Sequence, residues 1–168
     1  MGSSFLLRLV LTLGLSVLSV AAAALDKPSG PVVLTVTGKV SQKNAADGAR
    51  FDMAMLEKLP QHSFTTRTPW YPEPMTFSGP LLRDVLKAAG AQGRQLTAFA
   101  LNDYKTSVPV EDAYRYDVIV ARLLNGQPMS VREKGPLFII YPFDDLPELR
   151  TETHYGRSAW QLKTLQVE

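Results

Sequence analysis

Cysteine is absent from all 168 residues. The chain therefore has no disulfide, no thiolate for a metal and no cysteine nucleophile, and burial must stabilise it instead. Histidine is scarce: His62 and His154 are the only two, too far apart in sequence to form a metal motif. No HExxH, GxSxG, Walker or GxGxxG pattern occurs either, so no catalytic residue and no metal site is assigned. Charge of one sign is lacking too. Eighteen Lys and Arg against sixteen Asp and Glu leave a formal net charge of +2. With both signs interspersed and no basic run, neither nucleic acid nor a membrane surface is favoured as a partner.

A long apolar run is also missing. "MGSSFLLRLVLTLGLSVLSVAAAA" has one cation at Arg8, an apolar stretch from Leu9 to Val20, and a small-residue end at Ala22 to Ala24. Spanning a bilayer takes roughly twenty apolar residues, so residues 1–24 read as a secretory signal peptide cleaved after Ala24. The expected product is residues 25–168, a single domain of net charge +1 once Arg8 is removed, exported to a periplasm and not inserted in the membrane.

Short apolar runs divided by Gly and Pro make up the rest. "PVVLTVTGKV" reads as a strand, and "FDMAMLEKLP" as a helix with Phe51, Met55 and Leu59 on one face, stopped by Pro60. In "MTFSGPLLRDVLKAAGA", Ser78 is expected to cap a helix and Pro80 to sit in its first turn. Leu81, Leu82, Val85 and Leu86 form its buried stripe, and Gly90 ends it. Strands are expected at "QLTAFAL", "YKTSVP", "DVIVARL", "PLFIIYP" and "QLKTLQV". Few short helices with many strands predict an α+β domain built on a mixed or antiparallel sheet.

Two clusters stand out as binding candidates. "FTTRTPW" gathers Thr65, Thr66, Arg67, Thr68 and Trp70, and "LNDYKTSVP" places Asn102, Asp103 and Tyr104 at a strand junction. Loops on a rigid scaffold are where binding groups project. A carboxylate such as Asp103 can accept paired N–H bonds from an aminopyrimidinone edge while Trp70 or Tyr104 packs on the ring face. Alanine at Asp103 is then expected to cost about 1–3 kcal/mol of binding. The competing reading makes Trp70 a core residue and Asp103 a turn former. "YPFDDLPELR" has the look of an exposed functional loop, and Trp160 reads as a core plug.

The series "SGPLLRDVLKAAGA", "ALNDYKTSVPVEDA", "DVIVARLLNGQPMSVREKGPLFIIYP" and "SAWQLKTLQV" resembles the oxidoreductase molybdopterin-binding domain, the sulfite-oxidase fold, over residues 31–168. Asn125-Gly126 within it is also ordinary hairpin chemistry, since both residues tolerate positive φ. The resemblance implies a single domain of that fold. It aligns Thr66–Thr68 with the loop that in catalytic members carries the molybdenum-ligating cysteine. Phe138 and Ala159 fall where sulfite oxidases have an arginine and a lysine, and Tyr104 falls on the family's active-site tyrosine. A threonine hydroxyl is a poor ligand for a soft metal centre. The chain is similar to small exported cysteine-lacking relatives that bind free pterins and act on the periplasmic region of membrane-bound cyclic-di-GMP enzymes. That similarity implies an unphosphorylated, reduced pterin as ligand, no metal, and an inner-membrane signalling protein as partner. The expected site is Asp103, Trp70 and Tyr104, with Thr66, Thr68, Arg67, Asn102 and Arg132 around them. The alternatives are a molybdenum-cofactor oxidoreductase and an interaction domain with no small ligand.

Overall fold

The computed structural model describes residues 24–168. The expected signal segment falls outside them apart from Ala24, and no helix among the described residues is long and apolar enough to cross a membrane. Eleven strands and four short helices are described, an α+β domain with a sheet core.

Strand β1 (Val32–Gly38) alternates inward Leu34 and Val36 with outward Val33 and Thr35, the period of a half-buried strand. It pairs antiparallel with β2 (Ala49–Asp52) and parallel with β11 (Leu162–Val167). Next come β5 (Gln95–Ala100) and β6 (Lys105–Pro109), closing a five-stranded sheet in the order β2-β1-β11-β5-β6. Its inner face buries Leu34, Val36, Leu96, Ala98 and Leu165 with Leu82, Val85 and Leu86 of α2 (Leu82–Ala88). A second sheet has the order β3 (Gln61–Thr66), β4 (Met75–Pro80), β8 (Leu123–Leu124), β9 (Gln127–Pro128). Asn125 (φ 49°) and Gly126 (φ 78°) turn the β8–β9 hairpin, as their tolerance of positive φ predicts. β7 (Ile119–Ala121) and β10 (Phe138–Ile140) form a two-stranded pair, and a second core joins Phe77, Ile119, Ala121, Phe138 and Ile140.

Several boundaries differ from expectation. Phe51 belongs to β2, and α1 (Met53–Lys58) begins one residue after Asp52, whose carboxylate accepts from the Met55 N–H (2.8 Å). Ser78 does not cap α2 and Pro80 is not in its first turn. Both lie in β4, where the Ser78 hydroxyl meets that of Ser63 at 2.8 Å. Backbone pairing with β3 along Met75–Pro80 outcompetes the local helix signals there. Gly90 does end α2, at φ 61°. "DVIVARL" splits between two sheets as β7 and β8, and helix α3 (Val110–Arg115) follows β6. Helix α4 (Glu152–Arg157) was not expected, and it matters most for the site.

Candidate functional site

α4 has almost no apolar stripe, so local sequence cannot place it. Tertiary bonds do. Thr151 caps it, its hydroxyl accepting from the His154 N–H at 3.3 Å. From its last turn Arg157 donates to Asp112 Oδ2 (2.8 Å), and the buried Tyr141 hydroxyl donates to the same oxygen (2.7 Å). Burial, with the Asp112 hydrogen bond second, pushes the Tyr141 phenol far above its ordinary range and keeps it a donor. Tyr104 completes the tether from β6's entry, donating to the Gly156 carbonyl at 2.7 Å. His154 packs edge-on against Tyr141 (5.4 Å) and Tyr116 (6.0 Å), and burial, then Arg157, holds its pKa below the usual imidazole value.

Held this way, α4 forms one wall of a cavity of about 330 Å³. Glu152, Tyr155 and Gly156 come from α4, Ser158 and Trp160 from the segment after it, Asn102 and Tyr104 from the β5–β6 junction, and Pro69 and Trp70 from the loop after β3. Trp70 packs against both hydrophobic cores and lies in contact with the rings of Trp160 (5.6 Å, 80°), Tyr155 (6.1 Å, 83°), Phe143 (6.4 Å) and Phe138 (5.3 Å). These edge-on and tilted contacts fix the indole so that the cavity is lined by several preset ring surfaces. The lining is mostly apolar, and Glu152 is its one charged side chain. Glu152 is exposed and forms no ion pair among the described residues.

Trp70, Tyr104 and Asn102 therefore come together at one cavity. Asp103 does not join them. Its side chain is 96% exposed and faces Lys163 (3.8 Å), while its backbone takes φ 65°, so it serves as a left-handed turn residue between β5 and β6. Thr66 is buried, its hydroxyl accepting from the Asp144 N–H (3.0 Å) and so committed to holding the Asp144 loop. Thr68 Oγ1 accepts from the Trp70 N–H (3.4 Å) and shapes the loop rather than the cavity. Arg67 is exposed. Its N–H donates to Asp144 Oδ2 (3.0 Å), its guanidinium lies 3.6 Å from that carboxylate, and Arg150 donates to Asp144 Oδ1 (2.8 Å). Arg67, Thr68 and Arg150 line a neighbouring hollow that shares Pro69 and Tyr155 with the cavity. Arg132 sits exposed in the 3-10 turn Val131–Glu133, outside both.

Sequence reasoning missed Glu152, Tyr155, Gly156 and Ser158, and it assigned Trp160 to the core alone. The one available signal was Thr151 three residues before His154, a helix-capping spacing. Phe138 and Ala159, the positions matched to family cations, are both fully buried in apolar surroundings.

The fold has solved relatives. The sulfane dehydrogenase SoxCD of Paracoccus pantotrophus superposes with a TM-score of 0.59 at 20% identity, over 80% of this chain and 37% of that one. The chain thus spans little more than a third of that protein's length, and at this identity the likeness is one of fold. No curated protein matches the chain. Residues 31–143 match the family described as the oxidoreductase molybdopterin binding domain, so this chain belongs to that family.

Proposed function

We propose that the cavity between Trp70 and α4 binds a free, reduced, unphosphorylated pterin, and that the protein is a non-catalytic pterin-dependent regulator. The observation that carries this reading is the cavity itself. Four aromatic rings, of Trp70, Tyr104, Tyr155 and Trp160, surround a space at the small end of ligand-pocket volumes, with one free carboxylate at the rim. Each well-placed ring contact is worth about 0.5–1.5 kcal/mol beyond area burial. Glu152 takes the role first given to Asp103: it accepts the paired N–H groups of the aminopyrimidinone edge. Asn102 supplies a neutral hydrogen-bonding group at the margin, while the Ser158 hydroxyl is engaged in donating to the His154 carbonyl (3.0 Å).

The donor set does not fit a thiolate-anchored molybdenum centre. The chain has no sulfur donor of the cysteine type, and the hydroxyls of Thr66 and Thr68 are both engaged in holding loops. No arginine or lysine lines the cavity to meet a phosphate. The exported, periplasmic location and a membrane-bound cyclic-di-GMP enzyme as partner follow from the resemblance to cysteine-lacking pterin-binding relatives and from the N-terminal segment. Calorimetric titration of the purified protein with a tetrahydropterin tests the reading. One-site binding that weakens in both Trp160→Ala and Glu152→Gln is expected, and no heat with any pterin overturns it.

The second reading is a molybdenum-cofactor oxidoreductase. It is favoured by the family's description and by a structural relative that is itself a dehydrogenase. It requires the cofactor to be held through its pterin alone.

A further inference from the structure

β3 is an edge of the second sheet, paired with β4 on one side only. Sheets blunt such edges with lysine, proline, a bulge or brevity, because unpaired backbone groups recruit other chains. β3 has none of these devices. Gln61–Thr66 contains no Lys, Arg, Asp, Glu or Pro, and its register with β4 is unbroken over six pairs.

The hydrogen-bond phase identifies which groups are free. On its far side β4 faces β8, where the Arg122 N–H donates to the Ser78 carbonyl (2.9 Å) and the Asn125 N–H to the Thr76 carbonyl (2.7 Å). Thr76 and Ser78 thus turn to β8, and Met75, Phe77 and Gly79 turn to β3. Their partners Thr66, Phe64 and His62 bond to β4, which leaves Ser63 and Thr65 pointing outward. Arg67, the next residue in phase, donates its N–H outward to Asp144 (3.0 Å). Among the described residues no hydrogen bond outside the β3–β4 ladder takes up the backbone of Ser63 or Thr65. A groove of about 360 Å³ flanks this edge beside His62, Ser63 and Phe64, walled by Tyr116, Pro142 and Leu146. Arg115 and Asp145 also line it, and neither is in an ion pair among the described residues.

We propose that β3 is a docking edge for an extended segment of another protein, which adds to the sheet as a fifth strand through Ser63 and Thr65. Donor–acceptor pairs on alternate residues recur about 7 Å apart, a spacing that an extended backbone matches. The apolar wall takes a side chain over Phe64, and Asp145 and Arg115 suit one basic and one acidic residue flanking it. A second copy of the chain fits less well. A twofold axis at Phe64 sets Ser63 against Thr65 of the copy but brings both walls, each with its Asp145, onto the same face. The inference does not depend on what the cavity binds.

A random-peptide phage library selected against the purified protein, followed by anisotropy titration of the best synthetic peptide, tests it. Thr65→Pro and Ser63→Pro each delete an outward N–H without touching the β4 ladder, a position where edge strands accept proline. Each is expected to weaken binding about tenfold or more, while Thr65→Ala, which keeps the N–H, stays within about twofold. On the unaltered protein, the peptide should slow amide exchange at Ser63 and Thr65, a readout that needs no variant. No selected peptide, affinity indifferent to both prolines, unchanged exchange at the two amides, or a dimer that Thr65→Pro dissociates would each overturn the proposal.

Discussion

Asp112→Ala isolates the bond that holds the cavity wall. One carboxylate oxygen accepts from both the Tyr141 hydroxyl (2.7 Å) and Arg157 (2.8 Å). The substitution strands a fully buried phenol, at about 1–3 kcal/mol, and breaks a buried ion pair, at about 3–5 kcal/mol. The Arg157 side chain is 23% exposed, so water partly re-solvates it and the low end of that range applies. A total loss of about 4 kcal/mol is expected, the low end of both ranges taken together. Tyr141→Phe removes one donor and leaves Arg157 paired, for about 1 kcal/mol. Because the two bonds share an acceptor, the double variant should lose less than the sum of the singles, by about 1 kcal/mol. Urea denaturation at constant m measures all three. A loss under 1 kcal/mol for Asp112→Ala, or strict additivity, refutes the claim that this network anchors α4.

Three further outcomes follow from the geometry. Glu152→Gln should weaken tetrahydropterin binding by about 1–3 kcal/mol while Asp103→Ala leaves it unchanged, and calorimetry with the reverse ranking would return the edge-reading role to Asp103. Burial lowers the His154 pKa in the fold, so the unfolded chain binds more protons between that value and 6.5. Its contribution to stability is therefore complete above 6.5 and is lost as pH falls through the folded pKa, a decline that His154→Gln should flatten in thermal melts. Gly79→Ala should cost about 1–3 kcal/mol, because an added Cβ runs into the Val120 carbonyl where β4 crosses β7.

Elements whose signals are local were legible in the sequence. β1 and β5 alternate cleanly, and Asn125-Gly126 carries its own turn conformation. Part of the cavity lining was legible for the same reason, since Trp70, Asn102 and Tyr104 stand in segments already marked by prolines and strand ends. The rest was hidden because α4 is fixed by Arg157, Tyr104 and Thr151 reaching distant or capping partners, not by a stripe of its own. Asp103 sits beside Tyr104 in sequence, yet a left-handed turn points it at Lys163, and Glu152 enters from a helix fifty residues later.

On the proposed reading, the aromatic cavity of this cysteine-free family member holds an organic ring without molybdenum. Protein isolated from its own cells, assayed together for pterin by mass spectrometry and for molybdenum by elemental analysis, tests this most directly. Near-stoichiometric pterin with only trace metal is the expected result. Stoichiometric molybdenum would contradict it.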